Sequence, residues 1–199
     1  MFIKRLAPVV AVVLSAAMAV PAGAQGFSES YKFLKAVKDG DGTEVDSMLS
    51  TPGPLVNTKD RETGDTALHY VARDRNATWI RFLVGKGARV DAQNNAGDTP
   101  LTIATQIGWL EGVQTLLGVR ANVNQSNGKG ETPIILAVQR RDLPLVQLLM
   151  RSGADPKKSD RVAGLSALDY AKRDARSAAI LRALEAPARP DRPVAGPSL

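Results

Sequence analysis

The sequence predicts an all-α solenoid of about five stacked helix-turn-helix repeats, and three observations predict it. A short phrase recurs as Gly64-Asp65-Thr66-Ala67-Leu68, Gly97-Asp98-Thr99-Pro100-Leu101 and Gly130-Glu131-Thr132-Pro133-Ile134, each copy 33 residues after the last. Each copy closes alike, with Gly87-Ala88, Arg120-Ala121 and Gly153-Ala154 at matching offsets. A degenerate fourth copy, Gly164-Leu165-Ser166-Ala167-Leu168-Asp169, starts 34 residues after Gly130. Such a period belongs to units that cannot bury their apolar faces alone and do so against their neighbours.

Each phrase starts a helix. Gly64, Gly97 and Gly130 suit a turn with positive φ, where a Cβ would clash. Thr66, Thr99, Thr132 and Ser166 offer hydroxyls to free amides of the next turn, and Pro100 and Pro133 stand where the first helical residue belongs. Second helices are expected over residues 78–84, 111–117 and 144–150, with Asn76 and Asp142 as N-caps. Gly87 and Gly153 suit left-handed helix ends. Arg120 holds that place in the middle repeat, which is therefore expected to be the strained one.

The boxes Thr66-Ala67-Leu68-His69, Thr99-Pro100-Leu101-Thr102 and Thr132-Pro133-Ile134-Ile135 resemble the ankyrin repeat, over roughly residues 30 to 186. The resemblance implies an ankyrin-repeat solenoid of stacked helix pairs with projecting turns, used to bind proteins, and it implies no reaction. On this reading residues 25–60 form an N-terminal capping repeat, 61–93, 94–126 and 127–160 are full repeats, and 161–186 form a C-terminal cap.

The remaining segments read in order. Lys4 and Arg5 precede an apolar run from Leu6 to Val20, and Ala22-Gly23-Ala24 completes the pattern of a cleavable signal peptide over residues 1–24. Its removal takes two basic residues with it and lowers the formal net charge from +6 to +4. That excess is too small and too scattered to predict nucleic-acid binding. The cysteine count of zero leaves stacking, not disulfides, to stabilise an exported chain. In the N-terminal cap, Tyr31, Phe33, Leu34 and Val37 read as one apolar helix face, and a second helix runs near residues 44–49. In the C-terminal cap, Leu168, Ala171, Ile180, Leu181 and Leu184 alternate with many charges. Residues 187–199 lack apolar periodicity and carry four prolines, which predicts a disordered, partly polyproline-like tail.

Catalytic chemistry finds little support. His69 is the lone histidine and takes the place of a residue that, by the resemblance, bridges turn backbones. With one His and no Cys the usual zinc ligand sets cannot be assembled, and no phosphate loop or nucleophile elbow occurs. Asp39, Asp41 and Glu44 cluster loosely, as a solvated turn does. No catalytic residue, cofactor or metal site is expected.

Binding is what the resemblance implies, through a concave face of turn tips and first-helix ends. Carried over by position, the tips supply Glu62, Asp65, Asn95, Asp98, Lys129 and Glu131, and the helix ends supply Arg73, Asp74, Gln106, Ile107, Gln139 and Arg140. Trp109 lies beside them, at a position the family usually gives to a polar residue, and an exposed Ile107–Trp109 pair would make a hot spot. Asp65, Asp98 and Glu131 recur at one tip position while Arg73, Arg75, Arg140 and Arg141 gather at helix ends, a division that could steer a dipolar partner. Trp79 and Phe82 align with Gly112 and Thr115, so large side chains are expected to lie opposite small ones between repeats. The expected protein is a monomeric, non-enzymatic interaction module of a bacterial periplasm, with no membrane insertion after signal cleavage. Secretion as an effector that meets host proteins is the alternative, ahead of an enzyme or small-ligand binder.

Overall fold

A computed structural model describes residues 22–51 and 53–186. The expected signal peptide and tail lie outside them, except that residues 22–24 open the first helix. Among the described residues the elements are α1 (Ala22–Asp39), α2 (Gly42–Met48), α3 (Ala67–Arg73), α4 (Ala77–Gly85), α5 (Pro100–Gln106), α6 (Leu110–Gly118), α7 (Pro133–Gln139), α8 (Leu143–Arg151), α9 (Ala167–Arg173) and α10 (Ala178–Glu185). Single 3-10 turns lie at Pro54–Asn57 and Ala175–Ser177.

Odd-numbered helices form one row, α1 on α3, α3 on α5, α5 on α7 and α7 on α9; α4, α6, α8 and α10 form the second row. Between the rows runs one continuous core that includes Phe33, Leu68, Ile80, Leu101, Leu116, Ile134, Leu145, Leu149 and Ile180. After the N-terminal cap the first helices, α3, α5, α7 and α9, are only seven residues long. A helix that short is marginal alone, so its stability comes from burial between neighbours. The architecture is the all-α solenoid that the repeat spacing predicts.

The turn signals behave as read. Gly64, Gly97 and Gly130 have φ of 71°, 75° and 82°. Space adds a second reason for glycine: a Cβ on Gly64 would lie 2.8 Å from the Asn95 nitrogen, and one on Gly130 would lie 2.6 Å from the Arg161 nitrogen. Asn76 and Asp142 cap α4 and α8, accepting from the Trp79 and Leu145 amides at 3.1 Å. These helices run one residue beyond the expected bounds at each end, because helix begins immediately after the cap.

Three expectations need correction. Arg120 is left-handed, with φ 68°, but so are Arg75 at 56° and Arg141 at 58°. In the middle repeat the turn between its two helices carries Gly108, φ 68°, where its neighbours carry Arg75 and Arg141. At its two helix ends every full repeat therefore has one arginine and one glycine in this conformation, and the middle one is not singled out. Tyr31 is 69% exposed and belongs to no core. It falls on the stripe of Lys35 and Lys38, four and seven residues on, whereas Phe33, Leu34 and Val37 turn inward. Finally, the Thr132 hydroxyl is buried without a partner. In the other boxes the fourth residue is polar and engages the residue before the helix: His69, Thr102 and Asp169. In this box it is Ile135, which has nothing to give back.

Two measurements follow. Urea denaturation of Thr66→Val and Thr99→Val should show losses of about 1–2 kcal/mol, while Thr132→Val should change stability by less than about 0.5 kcal/mol or raise it. Arg120→Gly should stabilise by about 0.5–1 kcal/mol, since relief of the left-handed strain exceeds the added chain entropy. Arg75→Gly and Arg141→Gly should gain less, because each also breaks a bond to the next repeat.

Candidate functional site

The concave face begins with the turns, and one side chain organises each. Asp60 Oδ1 accepts from the Glu62 and Thr63 amides, Asn94 Oδ1 from Ala96 and Asp98, Asn127 Oδ1 from Lys129 and Glu131, and Asp160 Oδ1 from Val162, Ala163 and Gly164, all within 2.6–3.2 Å. These positions recur every 33 or 34 residues. They are absent from the sequence expectations, although the spacing of Asp and Asn marks them. The two end positions are Asp, and a tyrosine ten residues on closes each: Tyr70 donates to Asp60 at 2.7 Å and Tyr170 to Asp160 at 2.6 Å. The Tyr70 hydroxyl, the turn amides and Lys38 hold the Asp60 carboxyl well below its usual range, against the burial that opposes ionisation.

Neighbouring tips are then joined by backbone bonds. The Asn95 amide donates to Thr63 O at 3.0 Å, Gly128 to Ala96 O at 2.9 Å and Arg161 to Lys129 O at 2.9 Å. The face is a ladder of bonded tips.

His69 ties the first two full repeats. Its ring is fully buried; Nδ1 accepts from the Thr66 amide at 3.0 Å and pairs with the Thr66 hydroxyl at 2.8 Å, while Nε2 meets Asp98 O at 2.9 Å. A carbonyl can only accept, so Nε2 carries the proton. Burial pushes the imidazole below its ordinary pKa. Both ring nitrogens are engaged in structure, as the resemblance implies.

The expected contact residues divide by exposure. Glu62, Arg73, Asp74, Asn95, Lys129, Gln139 and Arg140 are exposed; Asp98, Gln106, Ile107 and Glu131 are half-buried; Asp65 and Trp109 are buried, at 2% and 7% exposure. The recurring tip carboxylates are bonded within the repeat rather than displayed. Each pairs with the residue eight positions on: Arg73 with Asp65 at 2.9 Å, Gln106 with Asp98 at 3.1 Å, Gln139 with Glu131 at 3.4 Å. Burial disfavours the Asp65 charge, but the Arg73 guanidinium and the Asn94 amide outweigh it and keep the carboxyl below its ordinary value.

The arginines are likewise engaged. Arg75 donates to Ile107 O at 2.9 Å and Arg140 to Gln106 O at 2.7 Å, so the repeats on either side both cover the C-terminal carbonyls of α5. Arg141 pairs with Asp174. The expected division of groove charge is thus largely consumed inside the stack. Toward the N-terminal end the face deepens into a cleft of about 470 Å³ between α1 and the first tip, lined by Ser30, Tyr31, Leu34, Lys35, Lys38 and residues 58–62.

Trp109 is not an exposed anchor. It occupies the N-cap position of α6, and a Cβ placed on Gly112 would fall inside its ring. Trp79, one repeat earlier at the position of Gly112, points back instead toward Gly42, where an added Cβ would lie 3.8 Å from its ring, and it meets Phe82 edge-on at 6.0 Å. The middle repeat has moved its ring three residues toward the N-terminus, from the third helical position to the cap. The space at Gly112 is filled from within its own repeat, which replaces the expected pairing with Trp79. Trp109→Ala should therefore destabilise by about 3–5 kcal/mol in thermal or urea denaturation. Trp109→Asn with Gly112→Leu, which copies the Asp142–Leu145 arrangement, should recover most of that loss.

Comparison with known proteins agrees with this geometry. Residues 33–127 and 104–191 both match the family model described as ankyrin repeats (3 copies). Diacylglycerol kinase iota of Mus musculus is 39% identical over 74 residues, 37% of this chain and 7% of that protein. Ankyrin repeat protein L271 of Acanthamoeba polyphaga mimivirus is 34% identical over 77 residues, 39% of this chain and 10% of that protein. Palmitoyltransferase ZDHHC17 of Danio rerio is 42% identical over 59 residues, 30% of this chain and 10% of that protein. The chain spans a tenth or less of the length of these relatives, so the similarity concerns the repeats. With the family model matched along most of its length and the repeat geometry in place, the chain belongs to the ankyrin-repeat family, whose repeats are generally protein-interaction modules.

Proposed function

We propose that this protein is a non-enzymatic binding module of the bacterial periplasm that holds a protein partner against its concave face. The observation that carries this reading is the bonded ladder of tips: a surface already fixed before contact loses little conformational entropy on binding. The signal-peptide pattern of residues 1–24 supports export. The exposed tip and helix-end residues Glu62, Arg73, Asp74, Asn95, Lys129, Gln139 and Arg140 supply the outer contacts, and the cleft beside Tyr31 adds a recess at one end. Ile107 and Trp109 contribute by holding the stack in shape.

Affinity capture from periplasmic extract with residues 25–199 tests the reading. A partner enriched by the parent chain and reduced at least tenfold by Tyr31→Ala with Glu62→Lys, both at exposed positions, is the expected result. Equal capture by a folded variant would move the contact off this end of the face, and enrichment only from extracellular medium would move the protein out of the periplasm.

A further inference from the structure

The four boxes hold different residues at their fourth position, His69, Thr102, Ile135 and Asp169, so one joint alone is made by an imidazole. That imidazole is fully buried and reaches across a repeat boundary, from the Thr66 amide of its own turn to the Asp98 carbonyl of the next. We propose that His69 makes this joint an acid-sensitive hinge, so that mild acid loosens residues 22–93 from the repeats that begin at Asn94.

The chemistry is local. Protonation puts a hydrogen on Nδ1, which then faces the Thr66 N–H 3.0 Å away, donor against donor; the Thr66 hydroxyl, 2.8 Å away, can turn to accept it, but the buried amide is left without its acceptor. The bond to Asp98 survives, but the added charge lies where water cannot reach it. The charged groups around the ring do not compensate. Asp65 favours the cation but is already paired with Arg73, and Arg73 and Lys59 oppose it. Asp98 is tied to Gln106 and Thr102, and on the α1 side Lys38 and Asp60 pair with each other.

The sign is therefore fixed. The opened chain carries an ordinary imidazole and the closed stack a depressed one, so the joint is fully stable above the ordinary value and weakens as pH falls through it. Because each repeat touches only its neighbours, a weakened joint opens there before the whole chain unfolds. The other boxes do not follow in this range. Thr102 and Ile135 do not titrate, and the Ser166 hydrogen bonds hold the Asp169 carboxyl below the usual carboxylate value.

Hydrogen exchange of residues 25–199 at pH 8 and pH 5, beside His69→Thr at each pH, reads the hinge directly. The control copies a native arrangement, since Thr102 Oγ1 accepts the Thr99 amide at 2.7 Å. Relative to this control, the opening constant of α3 and α4 should rise on acidification by a factor that approaches about 30, the limit for 1.5 units below an ordinary imidazole. Exchange in α7 to α10 should keep a constant ratio between the two proteins. The His69 ring resonances should titrate below the ordinary value. An equal pH response in both proteins, loss of protection spread evenly over the stack, or an ordinary or raised imidazole titration would overturn the hinge. If His69→Thr does not fold, the ring titration and the location of the parent's loss decide the matter.

Discussion

A turn that leaves a helical row, travels outward and returns must satisfy its own amides, and here one side chain per repeat does that. Asp60, Asn94, Asn127 and Asp160 collect the N–H groups of their tips, and everything on the concave face depends on that collection. Once the amides are gathered, the tip is narrow enough for its neighbour's backbone to bond to it, as Asn95, Gly128 and Arg161 do. The glycines follow from the same constraint, since a Cβ on Gly64 or Gly130 would meet the adjoining tip. Helices and tips thus depend on each other: the seven-residue helices are too short to stand alone, and the turns set where they start.

Much of this was legible in the sequence because repetition converts weak signals into strong ones. A single Gly-x-Thr-Pro-Leu phrase says little, but three at 33-residue intervals fix the period, the turns and the helix starts. What escaped is what breaks the period or lies outside the phrase. The ladder is Asp at its two ends and Asn at its two middle members, so no single letter runs through it. Tyr31 belongs to the capping repeat, where no second copy is present to show which way its helix faces. Trp109 reads as an exposed anchor when aligned by position, because an aromatic at a polar site looks displayed. Only Gly112, three residues on, shows that the ring folds back over the helix.

The candidate face is less legible in the sequence than the fold, for an electrostatic reason. Position tells which side chains lie on the concave side, but not which have already spent their hydrogen bonds there. Asp65, Asp98 and Glu131 look like an open row of carboxylates and are each matched to a partner eight residues on. Arg75 and Arg140 look like free cations and instead close the end of α5. Partner recognition on such a face depends less on formal charge than on shape and on the residues that stay exposed.

The tryptophan that lies over Gly112 also constrains how this repeat can change. A leucine at 112 has no room while the ring is present, and a small polar residue at 109 leaves a void while glycine remains. The two ways of building the start of the outer helix are therefore separate packing solutions, each closed to single steps from the other. Repeats that look interchangeable by their spacing can be locked in different states, and a segment transplanted between them must carry both positions together.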